Sequence, residues 1–352
     1  MALAAMNSWQ RPSKPPAREY LLVVRAINSI MKRTLVTGAS GFVGANLTRR
    51  LLADGHEVHL LLRPGFQSWR VAGIREQVRI HEIDLLDADA LERVVASVRP
   101  EWVFHLAAHG AYSWQDDFPQ ILATNLHATI HLVQACLKTG VEAFIHAGSS
   151  SEYGLKDHAP AESEGLEPNS HYAVAKAAAA LYCQFVARRD GAPISTLRLY
   201  SAYGPYEDPQ RLVPMLVRRG LAGEFPPLVA PETARDYVYV DDIVEAFILA
   251  AIRARNHPGA IYNIGSGMQT QLGEVVEVVR RVLRIASEPE WSSMPQRRWD
   301  TSVWVADPQH AADQLGWKAA VSFEEGFRRT VAWFRSEPWI TPHYAANSAP
   351  PR

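Results

Sequence analysis

Arg33-Thr-Leu-Val-Thr37, then Gly38-Ala-Ser-Gly41-Phe-Val-Gly44, then Ala45-Asn-Leu-Thr-Arg-Arg-Leu-Leu-Ala53 is the stretch that decides the fold. A short β-branched apolar run, a glycine-punctuated loop and leucines at helical spacing predict strand, loop, helix. Gly38 permits the tight turn, Gly41 lets the backbone approach a pyrophosphate, and Gly44 lets the helix pack on the strand. The open N–H groups of the helix N-terminus then face the phosphates. The spacing is Gly-x-x-Gly-x-x-Gly, not the Gly-x-Gly-x-x-Gly of the most familiar dinucleotide fold.

Outward from this unit, strands and helices alternate. Val58–Leu62, Val78–Ile83, Trp102–Leu106, Ala143–Ala147 and Ile194–Arg198 read as buried parallel strands, with helices near 88–98, 119–139 and 170–189. The pattern predicts an α/β chain with a Rossmann-like, doubly wound parallel sheet. In such sheets ligands sit beyond the carboxyl ends of the strands.

Chemistry is carried by Ser170-His-Tyr172-Ala-Val-Ala-Lys176. An i, i+4 pair on a helix puts both polar heads on one face. An ammonium close to a phenol favours the phenolate, bringing a group that titrates near pKa ~10 toward neutrality. Such a pair can move a proton on and off an alcohol oxygen. Ser149, at the carboxyl end of a predicted strand, supplies a hydroxyl on the ligand side of the sheet.

Together with Asp84-Leu85, His105-Leu-Ala-Ala108, Thr124-Asn125, Ser149-Ser-Ser-Glu-Tyr-Gly154, Leu197-Arg-Leu-Tyr-Ser-Ala-Tyr-Gly-Pro205, Arg235-Asp-Tyr-Val-Tyr-Val-Asp-Asp242 and Tyr262-Asn-Ile-Gly265, these segments resemble the extended short-chain dehydrogenase/reductases. That family holds nucleotide-sugar epimerases, dehydratases and ketoreductases, and the resemblance runs from about Lys32 to about Arg335. It implies Ser149, Tyr172 and Lys176 as the catalytic set. It implies cofactor contacts from Gly38, Ser40, Gly41, Phe42, Val43, Gly44, Asp84, Leu85, Leu106, Ala107, Ala108, Asn125, Tyr172 and Lys176, with Asn125 in a supporting, helix-stabilising role. Substrate contacts are implied for Ser150, Ser201, Arg235 and Arg297, the two arginines clasping a diphosphate as guanidinium forks do. Ser201 stands where many relatives carry asparagine. Tyr112, Trp114 and Tyr203 are candidates for the sugar pocket or for aromatic core packing.

Two positions discriminate within the family. The second strand ends in leucine followed by Arg63, with no carboxylate to hold an adenosine ribose, so NADP is favoured over NAD. The 4,6-dehydratases carry a catalytic Glu two residues after the hydroxyl residue; here that position is Ser151. Glu152 is one step further, which on an extended segment turns its side chain to the other face. Elimination is thereby disfavoured, leaving a 4-ketoreductase as the main reading and a redox-neutral 4-epimerase as the alternative.

The resemblance also divides the chain. Residues 31–205, joined by 238–265, are expected to form the dinucleotide domain; 206–237 and 266–338 a smaller C-terminal substrate-binding lobe; 339–352, rich in Pro, Ala and Ser, a loose tail. Residues 1–30 are expected to be a disordered extension or the product of an upstream start codon, since Met31 stands just before the first strand.

The 352 residues carry 36 basic and 37 acidic side chains, so no diffuse charge footprint for nucleic acid or an anionic membrane is present. Tyr20–Ile27 is too short to span a bilayer. Cys136 and Cys183 sit in apolar helical runs and read as buried thiols in a reducing compartment, hence a cytoplasmic protein, although a disulfide between them stays open. No metal-ligand spacing occurs, and a homodimer is what the family implies.

Overall fold

The computed structural model describes residues 31–112, 114–294 and 300–346. Its centre is a seven-stranded sheet in the order β3-β2-β1-β4-β5-β6-β10, every neighbouring pair parallel. The strands are β1 (Arg33–Thr37), β2 (Glu57–Leu62), β3 (Arg79–Glu82), β4 (Trp102–His105), β5 (Ala143–Ser149), β6 (Ile194–Leu199) and β10 (Ile261–Ile264). Helices α1 (Phe42–Ala53), α2 (Ala88–Val98), α4 (Ala128–Thr139), α5 (His171–Asp190) and α7 (Val240–Arg253) flank it.

The inner strands are buried along nearly their whole length because both faces are covered, whereas edge strand β3 leaves Arg79 and Glu82 exposed. One face packs Leu47, Leu51, Phe104, Ile145, Ile243 and Phe247; the other packs Leu35, Leu91, Val103, Leu132, Phe144 and Val186. Chain order reverses between β1 and β4, so a crevice opens at their carboxyl ends, where the glycine loop leaves β1. Short α3 (Phe118–Leu122) enters α4 through one π-helical turn at Ala123–His127.

A second cluster holds Val213, Leu216, Leu272, Val275, Phe327, Val331 and Phe334. It is built from α6 (Leu212–Leu221), α8 (Leu272–Leu283) and α10 (Phe323–Ser336). Two small ladders lie beside it: β7 (Ser201–Tyr203) pairs in parallel with β9 (Tyr237–Tyr239), and β8 (Ala234–Arg235) antiparallel with β11 (Thr270–Gln271). The remaining short helix, α9 (Gln309–Gln314), sits against β10.

The expected loose tail is corrected in part. Ile340–Ala346 forms α11, whose Ile340 and Tyr344 are buried at i, i+4 spacing against Phe334 and Trp333. Burying that aromatic stripe outweighs the loop-like composition around it. The extension at 1–30 and residues 347–352 lie outside the described residues. Both cysteines are buried free thiols. Among the described residues no helix is long and apolar enough to cross a membrane.

Candidate active site

The glycine loop is tightly fitted. Gly38 has φ +72°, and a Cβ there would stand 2.5 Å from the Leu106 carbonyl carbon and 2.6 Å from the Ala107 nitrogen, both backbone atoms. A Cβ on Gly44 would stand 2.3 Å from the Gly38 oxygen. Gly41 precedes α1 with no side-chain cap, so the first-turn N–H groups of Phe42, Val43 and Gly44 stay open to an anion, the next, of Ala45, being bonded to the Gly41 carbonyl. This loop, the adjoining Leu106–Ala108 backbone and a buried lysine form a donor set that fits a nicotinamide dinucleotide. Ser40 faces the crevice half-buried, and its carbonyl accepts from the Arg70 guanidinium at 3.2 Å. Arg70 also donates to the Tyr206 carbonyl at 2.7 Å. Arg70 carries no motif to mark it, because it reaches the loop from an irregular segment.

Arg63 is exposed directly after β2, and Asp84 is exposed after β3 with its carboxylate taking the Leu86 N–H. Leu85 is half-buried beside it. Asn125 comes from the turn joining α3 to α4. It is fully buried, accepts the His109 N–H at 3.0 Å and donates to the His109 carbonyl at 2.7 Å. With both ends of its amide so occupied, it shapes the loop after β4. Its position in the π-turn aims it there.

Ser149 ends β5 and caps a single 3₁₀ turn, Ser150–Tyr153. Its Oγ accepts the Ser151 N–H and lies 2.7 Å from Ser151 Oγ. Because this segment is a helical turn and not extended, Glu152 points into the interior for a different reason than strand alternation. One oxygen accepts the Ser149 N–H at 2.7 Å and the other accepts from Arg198 Nε at 2.8 Å, with Glu152 fully buried and the Arg198 side chain 2% exposed. Arg198 donates on to the Tyr153 hydroxyl, which donates to Asn263. The carboxylate is thus a strut beneath Ser149.

Ser170 caps α5 by accepting the Ala173 N–H, and from this helix Tyr172 and Lys176 project together. Tyr172 is half-buried and Lys176 is buried. The expected depression of the phenol is not what this arrangement produces. Burial raises its pKa, and the Ser149 hydroxyl, in hydrogen-bonding contact, opposes that rise. Arg211, which the sequence did not single out, is near enough to act in the same sense as Ser149. Lys176 is pushed down to about 8 by its own burial, against the pull of Glu152. Its Nζ stands 3.1 Å from His146 Nε2.

The substrate residues converge in part. Ser150 lines an open cleft with Tyr153, Lys156, His158, Tyr200 and Trp304. Arg235 lies 5.6 Å from the centre of the Trp304 ring and pairs with Asp300 at 3.1 Å. Ser201 is half-buried at the start of β7, with its N–H on the Asp236 carbonyl. Arg297 lies outside the described residues. Tyr203 proves to be core: it is 1% exposed and packs on Tyr237, Tyr239 and Phe323. Tyr112 stacks on Trp114 at 4.6 Å and carries the Arg211 guanidinium 4.5 Å above its ring.

A family model described as the NAD dependent epimerase/dehydratase family matches residues 34–265. The chain is 34% identical over 315 residues to a UDP-glucose 4-epimerase of Mycolicibacterium smegmatis, covering 87% of this chain and 99% of that protein. The crystal structure of a UDP-glucose 4-epimerase from Thermotoga maritima with UDP-glucose superposes with TM-score 0.79 at 30% identity, covering 86% and 99% of the two chains. The Thermus thermophilus UDP-glucose 4-epimerase in complex with NAD gives 0.75 at 32% identity, again covering 86% and 99%. With the glycine loop, the Ser149–Tyr172–Lys176 set and this near full-length likeness in hand, the chain belongs to the NAD-dependent epimerase/dehydratase family of nucleotide-sugar enzymes.

Proposed function

We propose that this protein is a nucleotide-sugar 4-epimerase working without net redox change. The observation that carries the reading is that the Ser149 hydroxyl and the Tyr172 phenol stand in hydrogen-bonding contact, in a chain similar along nearly its full length to UDP-glucose 4-epimerases. Ser151 occupies the position where elimination needs a carboxylate to remove the C5 proton, and Glu152 beside it is tied to Arg198. A bound nicotinamide dinucleotide supplies hydride acceptance and return. Tyr172 takes the proton from the sugar 4-hydroxyl and gives it back after the ketone has turned over, while Ser149 donates to the same oxygen. Lys176 holds positive charge beneath the phenol. Arg235, Ser201, Ser150 and Arg297 hold the nucleotide diphosphate and sugar, which anchors the substrate while its ring turns.

One observation favours a second reading, an NADPH-dependent 4-ketoreductase: Arg63 follows β2 where a ribose-binding carboxylate would stand. Incubation with a panel of nucleoside-diphosphate hexoses plus NAD or NADPH separates the two. The epimerase produces the 4-epimer with no lasting absorbance change at 340 nm; stoichiometric NADPH consumption by a 4-keto sugar supports the reductase instead. We further propose a cytoplasmic homodimer joined along α5, where Val174, Leu181 and Phe185 lie exposed on one stripe.

A further inference from the structure

Two histidines lie side by side in the floor of the crevice, their rings 5.9 Å apart, and they differ in how they are satisfied. His105 has a hydroxyl on each nitrogen: Thr37 at 2.7 Å and Thr129 at 2.8 Å. Thr129 donates to the Asn125 carbonyl, so it must accept from His105 Nε2–H; His105 Nδ1 then accepts from Thr37. That ring is a finished piece of core. His146, fully buried on β5, has only a distant hydroxyl, Thr196 at 3.4 Å, on Nδ1. Its Nε2 faces Lys176 Nζ at 3.1 Å.

Resting on the proposed role of Lys176, we infer that His146 is a positioning residue for that lysine, its Nε2 accepting one ammonium N–H and fixing the head group on the face it shares with Tyr172. An ammonium buried at this depth needs an acceptor. Glu152 acts on it through charge alone, its two oxygens being aimed at the Ser149 N–H and at Arg198, and the hydrogen-bond partner of Lys176 Nζ is His146. The groups facing Lys176 are Glu152 from the 3₁₀ turn, Cys183 on its own helix, His146 on β5 and His105 on β4. Both imidazoles are held neutral by burial and by the lysine's charge, His105 down to about 3 and His146 well below the usual range. A neutral imidazole can accept, whereas a carboxylate in its place would draw the ammonium away from a ligand by charge.

The wild-type protein gives the first test. In ¹⁵N-histidine-labelled protein, with the resonance assigned by loss in His146→Gln, His146 should appear as the Nδ1–H tautomer with an unprotonated, hydrogen-bonded Nε2. An Nε2–H tautomer overturns the inference, since that nitrogen could not accept. The second test is the pH dependence of NADH affinity, read by protein fluorescence. In His146→Leu the alkaline loss of affinity should move down by about one to two pH units, the worth of a hydrogen bond to a charged group. In His146→Gln, whose amide oxygen reaches the Nε2 position, the profile should return. Unchanged profiles in both variants make His146 packing alone. Neither readout involves a sugar, so failure of the epimerase reading would leave these results standing.

Discussion

Removing Glu152 separates a structural carboxylate from a catalytic one. In Glu152→Leu the Arg198 guanidinium, 2% exposed, loses its 2.8 Å partner, and Ser149 loses the acceptor of its N–H. An uncompensated buried charge costs about 3–5 kcal/mol. Against a typical total of about 5–15 kcal/mol this is a large share, and it corresponds to roughly 10 °C in Tm. Circular-dichroism melts and urea titrations measure it. Glu152→Leu combined with Arg198→Leu should recover much of the loss, because an apolar pair can replace a buried ion pair at little cost. Glu152→Gln should keep turnover within about tenfold of wild type in the folded fraction, since a lost general acid or base would cost about 10² to 10⁴. A Glu152→Leu protein destabilised by less than about 1 kcal/mol, with a Glu152→Gln protein that is folded but dead, would refute the strut and return Glu152 to the chemistry.

Other residues give independent expectations. Glu207 is 6% exposed with one carboxyl oxygen unpartnered, and burial pushes it up to about 8 from 4.5 despite Arg211 and the Gly204 N–H. Its folded pKa is raised, so the stability it allows is complete below pH 4.5 and lost as pH rises through about 8. Glu207→Gln should therefore melt like wild type at pH 5 and gain up to about 4 kcal/mol over it by pH 9, checked by melts across that range. Gly44→Ala, whose Cβ would stand 2.3 Å from the Gly38 oxygen, should weaken NADH binding by about 5- to 150-fold. Gly73→Ala, with no atom within 4 Å, is its neutral control in the same fluorescence titration. Tyr172→Phe should lose about 10² to 10⁴ in turnover while its melting curve stays near wild type.

The parts of the fold legible in the sequence are those with strong local grammar. Thr34-Leu-Val-Thr37 with its three glycines could form little except strand, turn and helix. The cappable Ser170 before an alanine-rich run likewise placed Tyr172 and Lys176 on one helix. What stayed hidden depends on contacts between distant segments. Arg70 reaches Ser40, His146 reaches Lys176, and Tyr344 covers the loop at Glu207 through a hydroxyl bonded to that residue's carbonyl. None of these leaves a spacing to read. For Asn125 only the π-turn reveals that its amide closes on the His109 backbone. For α11 a signal existed, Ile340 and Tyr344 at helical spacing, masked by the Pro, Ala and Ser that follow.

Whether a hydride leaves one sugar carbon and returns to the same carbon can be read most directly from the nucleoside-diphosphate hexose that the panel shows to be turned over, deuterated at C4 and incubated in unlabelled water. The expected product is the 4-epimer with the label retained at C4 and no new exchange at C5. Loss of the label, or solvent hydrogen appearing at C5, would contradict the epimerase reading.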